Sequence, residues 1–291
     1  MRIARELLVM HMEGQNRIRA VKQYAEEYGV GTGTVQGAFQ ALKSAGAIEL
    51  NACGASGTFM TNVNRRRLFD ACGYGELICL MPLDANLPMR ALATGIYKAV
   101  SDQKLPIHIL FARGSRNRLK MVKREKADFT VMSRHAYEAA VRLGEETVEV
   151  VGSAGVYPGK MGYITRRGTA LSLADTPVAF DRYSYDQLAL HTDLHLLRHT
   201  RQDWLNVQLA DQVRSGEVRA ALGRFFDEEE DLCFHPLEGV SPETQRKLSD
   251  AVLVARKGED SLVQLLKRTA TYEKVSAIQN EVITGKRMVE Y

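Results

Sequence analysis

At 291 residues, with 45% hydrophobic and 25% charged side chains, the chain has the length for two domains and enough apolar residues to bury their cores. No apolar run approaches the roughly 18–20 residues of a membrane-spanning helix, so no membrane partner is expected. The net charge of +4 is a slight bias toward nucleic acid, and placement of charge has to supply any real preference.

The chain opens on MRIARELLVMHMEG, where Ile3, Leu7, Leu8, Met10 and Met12 are interrupted by Arg5, Glu6 and His11. That spacing predicts an amphipathic helix over about Arg2–Met12 rather than the continuous apolar stretch of a signal peptide. A cytoplasmic location follows. A second helix near Ala20–Tyr28 buries Val21, Tyr24 and Ala25 and ends at Gly29 as a C-cap. Thr32 is placed to N-cap a third helix. This helix sets Val35, Ala38, Phe39 and Leu42 on one face and leaves Thr34, Gln36, Gly37 and Gln40 outward. A strand at Ala47–Leu50, a turn over Asn51–Gly57 and a strand at Thr58–Thr61 follow.

Helix, tight turn, helix and two-stranded wing is the order of a winged helix-turn-helix, whose second helix lies in the major groove of duplex DNA. Glutamine bonds adenine edges and threonine touches thymine methyls, so Thr32, Thr34, Gln36 and Gln40 are expected to face bases. Residues 1–64 hold six Lys/Arg against five Asp/Glu, a net of +1. Phosphate contacts therefore fall to particular side chains: Arg17, Arg19, Lys43 and the run Arg65, Arg66 and Arg67. The Gly29, Gly31 and Gly33 spacing is not a nucleotide loop, because a charged helix precedes it where that fingerprint needs a strand.

Asn62–Gly73 reads as a linker. Beyond it, Gly75–Pro82 is an apolar strand, followed by a helix at about Pro88–Asp102. A strand at Ile107–Ala112, a helix at Asn117–Glu125, a strand at Phe129–Met132 and a helix at His135–Leu143 come next. This alternation predicts a largely parallel α/β sheet. Two strands surround Gly155–Gly159, and a second set begins at Thr176–Asp181, with Ser184 capping a helix at Tyr185–Asp193. A strand at Leu194–Leu197, a helix at Gln202–Ser215, a strand at Ala251–Ala255 and helices at Ser261–Thr271 and Tyr272–Gly285 complete the reading. The expected domains are a winged helix-turn-helix at 1–62, a linker at 63–73 and a two-lobed domain at 74–291. Lobe 1 takes about 74–157 and 251–291, and lobe 2 about 158–250.

In open sheets of this kind ligands sit beyond the carboxyl ends of strands, and a helix N-terminus there favours an anion. Three loops stand at such ends. They supply Arg113, Ser115, Arg116, Ser133, Arg134, Asp181, Arg182 and Ser184, a set suited to a small carboxylate or phosphate effector.

Other patterns carry less chemistry. His191, His195 and His199 would share a helical face, yet the strand expected at Leu194–Leu197 breaks that ridge, so packing or surface histidines are favoured over a metal site. Cys53, Cys72, Cys79 and Cys233 have no CxxC spacing and read as reduced thiols. Gly152-Ser-Ala-Gly155 is not a nucleophile elbow, and Asp227–Asp231 reads as a solvated acidic run. No catalytic residue, metal or cofactor is expected.

Two family resemblances meet in this chain. Gly29-Val30-Gly31, Thr34-Val35, Ala38-Phe39, Leu42, Gly46-Ala47-Ile48 and Gly57-Thr58-Phe59 resemble the winged helix of GntR-type bacterial regulators. Gly31, Thr32 and Gln36 stand where that pattern usually has Ser, Arg and Arg. Residues 74–291 resemble the two-lobed type II periplasmic-binding-protein fold, through Ala127-Asp128 with Ser133 and the closing helix at Val275–Gly285. The combination is similar to the YhfZ-type regulators, a GntR-related group. The resemblance implies an α/β effector domain behind an N-terminal DNA-binding domain, in a homodimer that binds double-stranded operator DNA and responds to a small-molecule effector. The low charge of residues 1–64 keeps a second reading open, in which the winged helix serves dimerisation or protein contact around a small-molecule-binding domain.

Overall fold

The computed structural model describes residues 1–83, 86–172, 176–194, 204–226 and 230–291. The chain divides into two compact units. One comprises Met1–Leu77, Val100–Ile107 and Glu259–Thr269; the other comprises Ile78–Ala99, His108–Gly258 and Ala270–Tyr291.

In the first unit, α1 (Arg2–Met12) buries Ile3, Ala4, Leu7 and Leu8, the stripe its sequence spacing predicts. α2 (Val21–Tyr28) ends at Gly29 with φ 63° and ψ 38°, a left-handed turn that glycine adopts without steric cost. α3 (Thr32–Ser44) starts from Gly31 in an extended conformation. Gly31, not Thr32, is therefore the N-cap, because Thr32 is already helical. Tyr24 and Phe39 meet edge to face, with ring centroids 5.5 Å apart, a geometry worth about 0.5–1.5 kcal/mol beyond simple burial.

The wing is β2 (Ile48–Ala52) and β3 (Thr58–Val63), antiparallel. A third strand, β1 (Arg17–Ile18), pairs with β3 and sets Arg17 opposite Phe59; its two residues are too short to show a periodic pattern. Arg65–Ala71, expected within a linker, is a helix (α4) capped by the Asn64 side chain, which accepts from the Arg67 amide. Arg66 and Arg67 are exposed while Leu68, Phe69 and Cys72 are buried, and that apolar face is what anchors it. The helix Asp260–Thr269 (α11 in chain order) joins this unit: Arg268 pairs with Glu13 and Arg5 with Glu259.

The second unit holds two mixed sheets. Lobe 1 has five strands, β4 (Leu77–Met81), β5 (Ile107–Phe111), β6 (Phe129–Ser133), β7 (Val148–Val156) and β12 (Asp250–Arg256), in the order β5-β4-β6-β12-β7. Lobe 2 has β8 (Lys160–Arg166), β9 (Val178–Ala179), β10 (Ala220–Phe225) and β11 (Leu232–Pro236), in the order β11-β8-β10-β9. β4 and β6 are parallel, as are β9 and β10. The expectation of a largely parallel sheet is corrected by β12, which runs antiparallel to both β6 and β7. The chain leaves lobe 1 through β7 and re-enters by β12 at that same end, with Asp250 opposite Val156, running the other way.

Around the sheets lie α5 (Leu87–Ser101), α6 (Ser115–Lys123), α7 (Arg134–Arg142), α8 (Tyr185–Asp193), α9 (Leu209–Ser215), α10 (Pro242–Ser249) and α12 (Tyr272–Ile283). β10, β11 and α10 were not anticipated from the sequence. The strand expected at Leu194–Leu197 lies outside the described residues except for Leu194, which is in a turn. Of the helix expected at Gln202–Ser215, the first two residues also lie outside, and Trp204–Leu205 are non-helical. Tyr185 and Ala189 of α8 pack with Leu119, Met132, Ala136 and Val252 of lobe 1, so α8 carries apolar contact across the two lobes.

Candidate functional site

The face of α3 opposite Val35, Phe39 and Leu42 presents Thr32, Thr34, Gln36, Gly37, Gln40 and Lys43, all exposed. The periodicity of the sequence places them there, and nothing in the unit covers them. The candidate phosphate contacts divide into two groups. Arg17 is exposed and its side chain lies along the wing turn, where a Cβ at Gly57 would stand 3.0 Å from Arg17 Nε. Arg19 instead donates to Glu6 at 3.0 Å, pairs with Glu27 and covers the Tyr24 ring at 4.4 Å. The bond to Glu27 holds its guanidinium well above the ordinary arginine value. Arg65 donates to His11 at 3.1 Å and Gln103 at 2.9 Å, Arg66 pairs with Asp70, and Arg67 donates to the Ala45 carbonyl at 3.2 Å.

In the second unit a cavity of about 100 Å³ lies between the lobes, lined by Arg113, Ser115, Arg118, Tyr157, Asp181, Ser184, Asp186, Gln187, Asn206 and Arg224, with Leu83, Met89, Met161 and Phe226 among its apolar walls. Three arginines against two aspartates give the lining a net positive charge.

Two of these arginines are structural. Arg118 is fully enclosed and donates to the Ala112 and Val131 carbonyls and to Thr130 Oγ1, each at 3.1–3.2 Å. Burial pushes its guanidinium below the ordinary arginine value. Arg224 donates to the Pro158 and Gly159 carbonyls at 3.3 and 3.0 Å and to the Leu248 carbonyl at 2.8 Å. It therefore joins the outgoing and returning crossovers between lobes, while resting 4.7 Å above the Tyr157 ring.

Asp186 is the counter-ion. It accepts from Ser133 Oγ, His135 Nδ1 and Arg224 Nη2. Burial alone would favour its neutral form; the bonds from His135 and Ser133 and the Arg224 charge outweigh it and hold the carboxyl below its usual range.

Arg113 differs from both. Its Nε and Nη2 are buried without a hydrogen-bond partner, Asp181 Oδ1 stands 3.7 Å from Nη2, and the guanidinium lies 4.5 Å over the Tyr183 ring. Asp181 is itself held by the amides of Tyr183 at 2.9 Å and Asn206 at 3.3 Å. Arg113 lines the cavity, and buried donors left unsatisfied are costly, so an anion that draws the guanidinium into charge-assisted hydrogen bonds would relieve that cost.

The sequence-derived effector set is thus divided. Arg113, Ser115, Asp181 and Ser184 line the cavity. Ser133 is instead engaged with Asp186 and caps α7. Arg134 pairs with Asp250 and donates to Ser153 Oγ at 3.0 Å. Arg116 and Arg182 line an outer groove with Lys120, Lys123 and Arg124. Arg118, Tyr157, Asn206 and Arg224 come from segments far apart in sequence that only the lobe crossover gathers, and Asp186 and Gln187 lie inside α8, just past the Ser184 cap.

His191 is buried on α8 and stacks on Phe180 with centroids 4.3 Å apart; His195 and His199 lie outside the described residues, as do Asp227–Glu229 of the acidic run. Among the described residues no three His, Cys, Asp or Glu side chains form a metal-sized cluster, and no helix is long and apolar enough to cross a membrane. The four cysteines are free thiols, and burial pushes Cys72 up to about 12.

Comparison with known proteins fits this geometry. The helix-turn-helix domain model matches residues 13–60. The YhfZ protein of Escherichia coli (strain K12) is 25% identical over 291 residues, covering 95% of this chain and 91% of its own. The crystal structure of YhfZ from Shigella flexneri superposes with a TM-score of 0.60 at 23% identity, covering 74% of this chain and 93% of that one. The periplasmic VFT2 domain of Bordetella pertussis BvgS gives 0.51 at 12% identity, over 71% and 92%. These likenesses establish the fold: a helix-turn-helix domain followed by a two-lobed domain of the periplasmic-binding-protein kind. The YhfZ C-terminal domain model matches residues 64–291, and the chain belongs to that family.

Proposed function

We propose that the chain is a cytoplasmic, GntR-like transcription regulator, not an enzyme. Its α3 face reads operator DNA as part of a homodimer, and its interlobe cavity senses a small anion. The observation that carries this reading is the coexistence of an uncovered polar face on α3 with a cavity lined by Arg113, whose Nε and Nη2 lack hydrogen-bond partners. Bases would be met by Thr32, Thr34, Gln36 and Gln40, and phosphates by Arg17 and Lys43. Arg19, Arg65, Arg66 and Arg67 would have to exchange their internal partners to contribute. Ligand binding that favours one lobe arrangement shifts the population of DNA-competent molecules.

The internal engagement of Arg19, Arg65 and Arg67 favours the second reading, in which the winged helix makes protein contacts. Gel shift against the gene's own upstream DNA at two salt concentrations separates the two. A DNA reader binds the fragment, weakens as salt rises, and loses discrimination on Gln36→Glu. Absence of salt-dependent binding, or equal binding by the variant, leaves the protein-contact reading standing.

A further inference from the structure

An open groove of about 570 Å³ on the second unit is distinct from the interlobe cavity and is lined by Arg116, Lys120, Lys123, Arg124, Arg182 and Glu145. Five cations against one carboxylate give it a net charge equal to the +4 of the whole chain. The volume lies within the roughly 300–1,000 Å³ of small-molecule sites.

The charge is arranged as well as concentrated. Arg116, Lys120 and Arg124 recur every four residues along α6 and at its C-cap, all exposed. Like charges at this spacing weaken a helix. Four residues of helix rise about 6 Å, so the row spans about 12 Å. None of the three forms an ion pair among the described residues, and the one carboxylate nearby is occupied: Glu145 pairs with Lys123 and accepts from the Tyr185 hydroxyl at 3.2 Å. The opposite wall comes from lobe 2, where the Arg182 guanidinium lies 5.6 Å from the Tyr183 ring. A single carboxylate or sulfate would reach one or two of these cations. Linked phosphates reach the row, and guanidinium and ammonium groups are the donors that phosphate oxygens accept from.

We propose that this groove binds a small polyphosphate, the phosphate chain of a nucleotide or of free pyrophosphate type, across the two lobes. The site does not depend on the inner cavity's being an anion site. Calorimetric titration of the full chain with inorganic tripolyphosphate and with ATP tests it. Tripolyphosphate binds wild type, the Lys120→Gln/Arg124→Gln variant loses about tenfold or more in affinity, and Lys120→Arg/Arg124→Lys retains binding. A charge-matched control, Lys257→Gln/Lys286→Gln, stays within about twofold. Comparable affinity for ATP assigns the phosphate chain alone, and tighter ATP binding assigns a nucleotide. The proposal fails if tripolyphosphate binds no better than sulfate, if the two glutamine variants behave alike, or if only a random-sequence DNA duplex responds to Lys120→Gln/Arg124→Gln.

Discussion

Ser133 Oγ stands 2.6 and 2.8 Å from the two carboxylate oxygens of Asp186, joining the end of β6 in lobe 1 to the first turn of α8 in lobe 2. Ser133 Oγ also accepts from the Ala136 amide at 3.0 Å, so one hydroxyl caps α7 and holds the neighbouring lobe. With His135 and Arg224 on the same carboxylate, the lobes share one satisfied buried anion.

Replacing Asp186 by Asn leaves Arg224 buried without its anion. Breaking a buried pair from one side costs about 3–5 kcal/mol, which a urea midpoint at neutral pH will read. The pH dependence has a definite sign. Asp186 lies below its ordinary 3.8 in the folded chain, so its stabilisation is complete above that value and is lost as pH falls through the lower folded one. The gap between wild type and Asp186→Asn therefore narrows in acid.

His191 titrates in the other familiar window. Burial lowers it from 6.5, and neither ring nitrogen has a hydrogen-bond partner. The unfolded chain takes up the proton first, so stability declines as pH drops below about 6.5 toward the folded value. His191→Phe keeps the stack on Phe180 and removes that slope; thermal melts at stepped pH check it, and an unchanged slope assigns the effect elsewhere.

Arg113→Ala removes the cavity-lining guanidinium whose Nε and Nη2 lack hydrogen-bond partners. Millimolar small carboxylates and phosphate should raise the melting temperature of wild type by about 2–4 °C and leave the variant unmoved. The unliganded variant should melt somewhat lower than wild type, because the buried Asp181 loses its cationic neighbour and the Tyr183 ring its cover. Identical ligand shifts in the two proteins would remove the site as drawn.

Gly114→Ala tests the loop that carries Arg113. Gly114 sits at φ 67°, and an added Cβ would meet the Tyr183 carbonyl oxygen and Cβ at 2.7 Å. That oxygen accepts from the Arg116 amide at 2.9 Å and has little room to yield. A loss of about 1–3 kcal/mol is expected, measured by denaturant unfolding.

Arg2–Met12 falls where periodicity places it, and Tyr185–Asp193 where the Ser184 cap starts it. β1 has two residues and exists only because β3 offers it an edge, so no local pattern encodes it. The Arg65–Arg67 run hid the apolar Leu68, Phe69 and Cys72 behind it, and the segment looked like a linker. At the cavity, the loops beyond strand carboxyl ends pointed to Arg113, Ser115, Asp181 and Ser184. Ser133 and Arg134 looked equally available until Asp186 and Asp250, 53 and 116 residues away in sequence, proved to be their partners. Spacing cannot reveal a partner that only the crossover brings near.

The unit that carries the helix-turn-helix is assembled from three separated stretches of chain, ending with Glu259–Thr269. A cassette cut after the wing, or even after Leu77, would strip α1 of α11 and leave Arg5 and Glu13 without Glu259 and Arg268. Recombination that shuffles only the N-terminal third would therefore deliver an incomplete module. A working chimera has to inherit α11 from the same parent as α1, and a protease that nicks the Glu259 region would loosen the head from more than 180 residues downstream.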